Sequence, residues 1–313
     1  MKFGKSGHTT APASAGDASR PAAVAPGPCV SRPGFPAWLD LPALVGLLAF
    51  VRLLVTFALL SAGVRMPDAA ALESADPAVA AQARAVAAQF NLYAYPLTMG
   101  MMIGVTLLYG RLRGGKRPSV RYSVHGLNPA LILWGILLMT ATGVVLEPLL
   151  GLLPEIPDHH GRGWPTLLLT VVMAPLAEEF LCRGVLLEAA RARGGAAYGL
   201  FFSAVFFGVI HFYPAAVVNA FVMGLVLGYV YLRSESLWLV VILHAYNNAL
   251  AMLLLTLGYA HTTLREVMAA DGLETLYAVV YAVSLVIFLV AGGMVWRTVA
   301  RLRKRERATA AAQ

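Results

Sequence analysis

The sequence predicts an all-α protein, a polytopic bundle of about eight transmembrane helices. Of its 313 residues, 59% are hydrophobic and only 13% are charged, and the mean hydropathy is +0.71. Soluble domains carry about 25% charged residues, so a soluble enzyme and a disordered chain are both excluded. The two cysteines, Cys29 and Cys182, are too few for a disulfide framework or a cysteine-based zinc site.

Apolar segments that are long enough, or nearly so, to cross about 30 Å of hydrocarbon recur along the chain. They are predicted at residues 41–64, 90–109, 129–153, 165–189, 197–213, 215–232, 237–258 and 274–297. Residues 36–298 thus form the membrane bundle. Residues 1–35, rich in Ala, Pro, Gly and Ser, are expected to be a disordered cytoplasmic tail, and residues 299–313 a basic cytoplasmic tail. Tyr213 and Pro214 separate the fifth and sixth spans, which predicts a tight corner there.

The cations predict the orientation of this bundle. With the N-terminus inside, eighteen of the 24 Lys and Arg residues fall in the tails and the inner connections. The outer connections hold Arg65, Arg84, Arg162 and Arg265. This asymmetry favours an even number of spans with both termini cytoplasmic. The net charge of +8 is then explained by flanks that touch anionic lipid, so no nucleic-acid partner is expected. The high Ala, Gly, Val and Arg content suggests a bacterial inner (plasma) membrane.

Several polar side chains nevertheless fall inside predicted spans. Each ionisable group near the bilayer centre costs about 2.5–3.5 kcal/mol on insertion scales. Such groups must therefore face the bundle interior and pair with one another. The set comprises, in the fourth, fifth and seventh spans, Glu178, Glu179, Arg183, His211, His244, Asn247 and Asn248.

The fourth span combines an ion pair with a second carboxylate. Glu179 and Arg183 are four residues apart, so they share one helix face at ion-pairing distance. Glu178 points about 100° away from Glu179 and is less compensated by that cation. A carboxylate in such a position is a candidate general base or acid.

The polar residues of the other two spans repeat the four-residue spacing. His244 and Asn248 share a face of the seventh span, so both can point at one spot. In the fifth span Phe207 and His211 have the same spacing, which places the ring beside the imidazole. At 1.5 Å per residue, the three polar clusters can meet in one layer of the bundle.

These residues resemble the motifs of a known family. Residues 178–184 (EEFLCRG) resemble the EExxxR motif of the CPBP intramembrane proteases, a family that includes type II CAAX prenyl endopeptidases, Abi proteins and bacteriocin-processing proteins. Residues 207–211 (FGVIH) are similar to its FxxxH motif, and residues 244–248 (HAYNN) to its HxxxN motif. Phe221 and Gly224 lie where the family has a further short apolar-Gly motif. The protease-like core therefore covers residues 165–258.

The resemblance implies hydrolysis of a peptide bond within or at the membrane. Glu178 would be the general base that activates water, and His211 would share in that activation. His244 and Asn248 would hold the developing oxyanion. Glu179 and Arg183 would form a supporting pair, with Phe207 beside the site. The expected substrate is a membrane-associated protein or peptide segment in the lipid bilayer.

Other functions remain open at this stage. Glu178, His211 and His244 could instead form a zinc site with water as the fourth ligand, although a reaction without a cofactor is favoured. Buried Glu, Arg and His residues also mark ion pathways, which would suit a transporter. An immunity-type membrane protein that keeps the fold without catalysis is a third alternative.

Overall fold

The computed structural model describes residues 34–154, 161, 163–259 and 262–311, and within this part of the chain the long elements are all helical. The expected tail over residues 1–33, with Cys29, and the outer cation Arg162 lie outside the described residues. The long helices are α1 (Asp40–Ser61), α2 (Pro77–Leu112), α3 (Pro129–Leu150), α4 (residues 164–194), α5 (residues 196–209), α6 (Pro214–Ser234), α7 (Leu237–Thr256) and α8 (Glu274–Ala311). Short helical segments lie at Ala69–Leu72, Val124–Leu127 and Leu264–Ala270.

The prediction of about eight spans is confirmed. Seven helices among the described residues are long and apolar enough to cross a membrane, and one of them, Trp164–Val209, has 46 residues. At 1.5 Å per residue it would be about 69 Å long, roughly twice the hydrocarbon thickness. Gly195 divides it, with a φ of 84° that an L-residue rarely adopts. The protein is therefore a multi-pass membrane protein whose longest apolar helix is divided into α4 and α5.

Helix α2 begins earlier than the apolar segment that predicts it. The side chain of Asp76 caps the helix by accepting a hydrogen bond from Ala78 N at 2.8 Å, and Pro77 occupies the first turn. An Asp cap followed by Pro is a strong start signal. Residues 77–89 are Ala-rich rather than strongly apolar, so a search for apolar runs places the start at residue 90 instead.

Helix α4 lies at the centre of the bundle. Every residue from 181 to 190 is buried, which is expected of a helix that neighbours surround on all sides. Leu181 and Leu186 pack in a cluster with α1, α2, α5 and α6. Leu187 packs in a second cluster with α3, α6, α7 and α8. A side chain on α4 can therefore reach both halves of the bundle.

A network of ion pairs ties several elements together at one end of the bundle. Glu235 ends α6 in the left-handed conformation, with φ of 53°. Its carboxylate lies 2.5 Å from Arg121 Nη1 and 3.6 Å from Arg303 Nη2, which is on α8. Arg121 Nε also lies 3.5 Å from Glu188 on α4. The network thus joins the α2–α3 connection to α4, α6 and α8.

Candidate active site

The predicted pair of Glu179 and Arg183 forms at the centre of the bundle. Arg183 Nη1 donates to Glu179 Oε1 at 2.7 Å, and both side chains are fully buried. Arg183 Nη2 donates to the backbone carbonyl of Gly224 at 3.1 Å. The guanidinium also lies 4.7 Å from the centre of the Phe207 ring, within cation–π range. This cation is therefore bound to α4, α5 and α6 at once.

Two glycines allow α5 and α6 to approach closely at this point. A Cβ atom added to Gly224 would lie 3.1 Å from Ala204 Cα and 3.3 Å from Phe207 Cδ1. One added to Gly208 would lie 3.0 Å from the carbonyl oxygen of Val217. Small residues at such a contact let the backbones meet. The close approach brings the Gly224 carbonyl within reach of Arg183.

His244 lies between the two carboxylates of α4. Its Nδ1 is 2.8 Å from Glu179 Oε1, and its Nε2 is 3.8 Å from Glu178 Oε2. Both carboxylates thus contact this imidazole, whereas the helical spacing alone suggests that they need not share a partner. The Glu179 oxygen that accepts a hydrogen bond from Arg183 also accepts one from His244. Nδ1 of His244 therefore carries a proton, and Nε2 faces Glu178.

His211 joins the cluster through Phe207. The two rings make the expected edge contact, with centroids 5.0 Å apart, and the same Phe207 ring lies 5.6 Å from His244. Helix α5 ends at Val209, so His211 lies in the turn that follows it rather than inside a span. Its Nδ1 lies 2.7 Å from the Phe207 carbonyl, which can only accept, so Nδ1 is the donor. In the neutral ring, Nε2 is then the basic nitrogen.

The turn that carries His211 has a strained backbone. Phe212 has a φ of 62°, a conformation that is uncommon for a bulky L-residue. Pro214 starts α6 directly after Tyr213, so the predicted tight corner is confirmed. Residues in such conformations cluster at functional sites, where the surrounding structure maintains them.

Asn248 hydrogen-bonds to a backbone carbonyl of α4 that has no partner within the helix. Residues Leu168–Met173 form a π-helical segment, and Ala174 N donates to the carbonyl of Leu169, five residues back. The next carbonyl, that of Thr170, would need the N–H of residue 175, which is proline and has none. Asn248 Nδ2 donates to this carbonyl at 2.8 Å. One proton of the amide is thereby fixed, and the second is free for another acceptor.

Tyr95 is a member of the site that the sequence does not reveal. It lies on α2, and its hydroxyl donates to Glu178 Oε1. The two residues are 83 positions apart, and no motif surrounds Tyr95. The only local signal is a tyrosine next to Pro96 inside an apolar span, which by itself indicates a membrane helix.

The predicted site residues therefore divide into two groups. Glu178, Glu179, Arg183, Phe207 and His244 contact one another directly, and His211 joins them through Phe207. Asn248 is held against α4 one turn along α7 from His244. Among the described residues, no group of three or more His, Cys, Asp or Glu side chains is arranged to hold a metal ion.

Comparison with known proteins finds one family match, over the region of the chain that carries most of this cluster. Residues 160–250 match the family described as type II CAAX prenyl endopeptidase Rce1-like. No curated protein and no solved structure matches the chain. The matched segment is under a third of the 313 residues, but it carries every side chain of the cluster except Tyr95. This match supports the resemblance of the segment to the CPBP intramembrane proteases.

Proposed function

We propose that this protein hydrolyses a peptide bond in a membrane-delivered protein or peptide segment, with Glu178 as the general base. The observation that carries the proposal is the relation of Glu178 to its buried neighbours. Its Oε2 faces His244 Nε2 at 3.8 Å, beside the fully buried pair of Glu179 and Arg183. A gap of this length between two polar atoms suits a water that contacts both.

The first step is the addition of water to the substrate carbonyl. Glu178 takes a proton from the water, and the oxygen adds to the carbonyl carbon to form a tetrahedral intermediate. His211 assists by accepting a hydrogen bond from the same water at Nε2. This role suits an imidazole whose Nδ1–H is bound to the Phe207 carbonyl.

The second step is the collapse of that intermediate. Its oxyanion accepts hydrogen bonds from His244 Nε2–H and from the free amide proton of Asn248. His244 donates there as an imidazolium, which the Glu179 carboxylate at 2.8 Å from Nδ1 stabilises. The C–N bond then breaks, and Glu178 returns its proton to the leaving nitrogen.

The test is cleavage of a quenched peptide panel by the purified protein in detergent. The panel contains tails with and without a prenyl group, and leader-type peptides. We expect Glu178→Gln to lower kcat about 10²–10⁴-fold, as for the loss of a general base. Asn248→Ala is expected to lower it about 10²–10³-fold, as for an oxyanion donor. Glu73→Gln, at an exposed position, serves as the matched control and should leave the rate unchanged.

Two results would contradict the proposal. Either the wild-type protein cleaves none of the peptides, or Glu178→Gln cleaves them at the wild-type rate. Uptake of a solute into vesicles without any cleavage would favour the transporter alternative. A chelator added to the active enzyme tests the zinc alternative, since we expect the rate to be unchanged, and a loss that zinc restores would favour the metal-dependent reaction.

A further inference from the structure

Glu178 receives one hydrogen bond from outside the family-matched segment. The hydroxyl of Tyr95, on α2, donates to Glu178 Oε1. Tyr95 is partly buried, and the preceding residue, Ala94, is fully buried against α1. The tyrosine is therefore carried on a packed face of α2 rather than on a lipid-facing one. Its backbone position is fixed by the packing of α1 against α2.

The bond distinguishes the two oxygens of the carboxylate. Oε1 is occupied by the tyrosine hydroxyl, whereas Oε2 faces His244 Nε2 at 3.8 Å. That distance is too long for a direct hydrogen bond but suits a bridging water. We propose that Tyr95 is a positioning residue, which holds Glu178 so that Oε2 is the oxygen that receives the proton from water. This inference rests on the proposed function.

No other described group is placed to do the same for Oε1. Two side chains among the described residues contact Glu178, His244 from α7 and Tyr95 from α2. Arg183 uses Nη1 on Glu179 and Nη2 on the Gly224 carbonyl. His244 uses Nδ1 on Glu179 and presents Nε2 to the other oxygen. Without Tyr95, the carboxylate is free to rotate and to turn either oxygen away from the water.

The direct test is Tyr95→Phe, which keeps the ring and removes only the hydroxyl. A hydrogen bond to a charged group is strong enough to change a rate about 10- to 100-fold. We expect kcat to fall by this factor, while KM stays within about two-fold, because the hydroxyl contacts the base and not the substrate. Tyr93→Phe is the matched control. It lies on the same helix with its hydroxyl bound to the exposed Gln89 at 3.0 Å, and it should keep the wild-type kcat.

Two further variants separate positioning from a loss of folding. Tyr95→Met also removes the hydroxyl, but with a different apolar side chain. A fall in kcat in both variants supports the inference, provided that at least one of them unfolds at the wild-type temperature. Incorporation of 3-fluorotyrosine at position 95 keeps a donor, and we expect it to restore kcat to within about two-fold of wild type.

The outcomes distinguish the two proposals. If the wild-type protein cleaves in a Glu178-dependent manner and folded Tyr95→Phe keeps the wild-type kcat, the positioning role is wrong and the proposed function stands. An increase in KM alone would also overturn the role, since it would indicate substrate contact. If cleavage does not depend on Glu178, both proposals fail together.

Discussion

Removal of the Arg183 cation provides the sharpest test of the buried site. In Arg183→Met, Glu179 stays fully buried and keeps its contact with His244 Nδ1, but it loses the donor at 2.7 Å. At an effective dielectric of about 20, Coulomb attraction over that distance is about 6 kcal/mol. Part of this is offset because the buried arginine no longer has to be desolvated. Breaking a buried pair typically costs about 3–5 kcal/mol, and we expect the free energy of unfolding to fall by that amount.

The assay measures reversible unfolding in mixed micelles during titration with a denaturing detergent. Arg111→Met, at an exposed position near the end of α2, is the matched control and should change stability by less than about 0.5 kcal/mol. Combining Glu179→Gln with Arg183→Met removes both charges, so the double variant should be more stable than Arg183→Met alone. The reasoning is refuted if Arg183→Met unfolds as wild type does, or if the double variant is the less stable of the two.

Three further predictions follow from other contacts in the structure. Gly224→Ala places a Cβ within 3.3 Å of Phe207, so it should lower the free energy of unfolding by about 1–3 kcal/mol and also lower kcat. Gly143→Ala is the control, since nothing lies within 4 Å of the added Cβ, and its stability should be unchanged. Equal stability of the two variants in thermal unfolding would contradict this. Glu235→Gln should lower the free energy of unfolding by about 1 kcal/mol at low salt and by less at about 1 M salt, because ions screen the partly exposed carboxylate. A loss of stability that does not depend on salt would argue against an ionic network. Thr263 and Glu266 form a capping box at the start of the short helix Leu264–Ala270, and the backbone N–H and hydroxyl of Thr263 lower the pKa of Glu266. The stability that this cap gives is fully present above the ordinary pKa of Glu and is lost as the pH falls through the depressed pKa. Hydrogen exchange over residues 264–270, corrected for intrinsic rates, should rise in that pH range in the wild type but not in Glu266→Gln.

Local spacing is enough to predict much of the fold and part of the site. The spans follow from apolar runs of sufficient length, and their number agrees with the structure. The Glu179–Arg183 pair is a four-residue relation within one helix, so periodicity determines it. The Phe207–His211 contact has the same spacing, although His211 lies in the turn that follows α5. These are the contacts for which no knowledge of neighbouring helices is needed.

The remaining contacts depend on how helices pack, which spacing does not determine. His244 reaches both carboxylates because α7 lies against α4, and Tyr95 reaches Glu178 because α2 does. The bond from Asn248 to Thr170 depends on a backbone carbonyl that only the π-helical turn leaves open. His211 lies outside its predicted span because α5 ends at Val209, and an apolar run does not reveal where the last turn stops.

The π-helical turn of α4 at Leu168–Met173 has a consequence for how this sequence can change. Each such turn widens the ring of backbone hydrogen bonds, as though one residue had been added to an ordinary helix. Shortening Leu168–Met173 by a single residue would let that stretch relax to α-helical geometry, and because the wide turn accommodates the residue that is lost, the flanking parts of α4 would keep their orientation relative to each other. The carbonyl now held by the amide from α7 would regain a partner within its own helix or face elsewhere. A one-residue deletion in this segment should therefore spare the orientation of Glu178 and act on the contact between α4 and α7, whereas exchanges among Leu, Val and Met leave that contact in place.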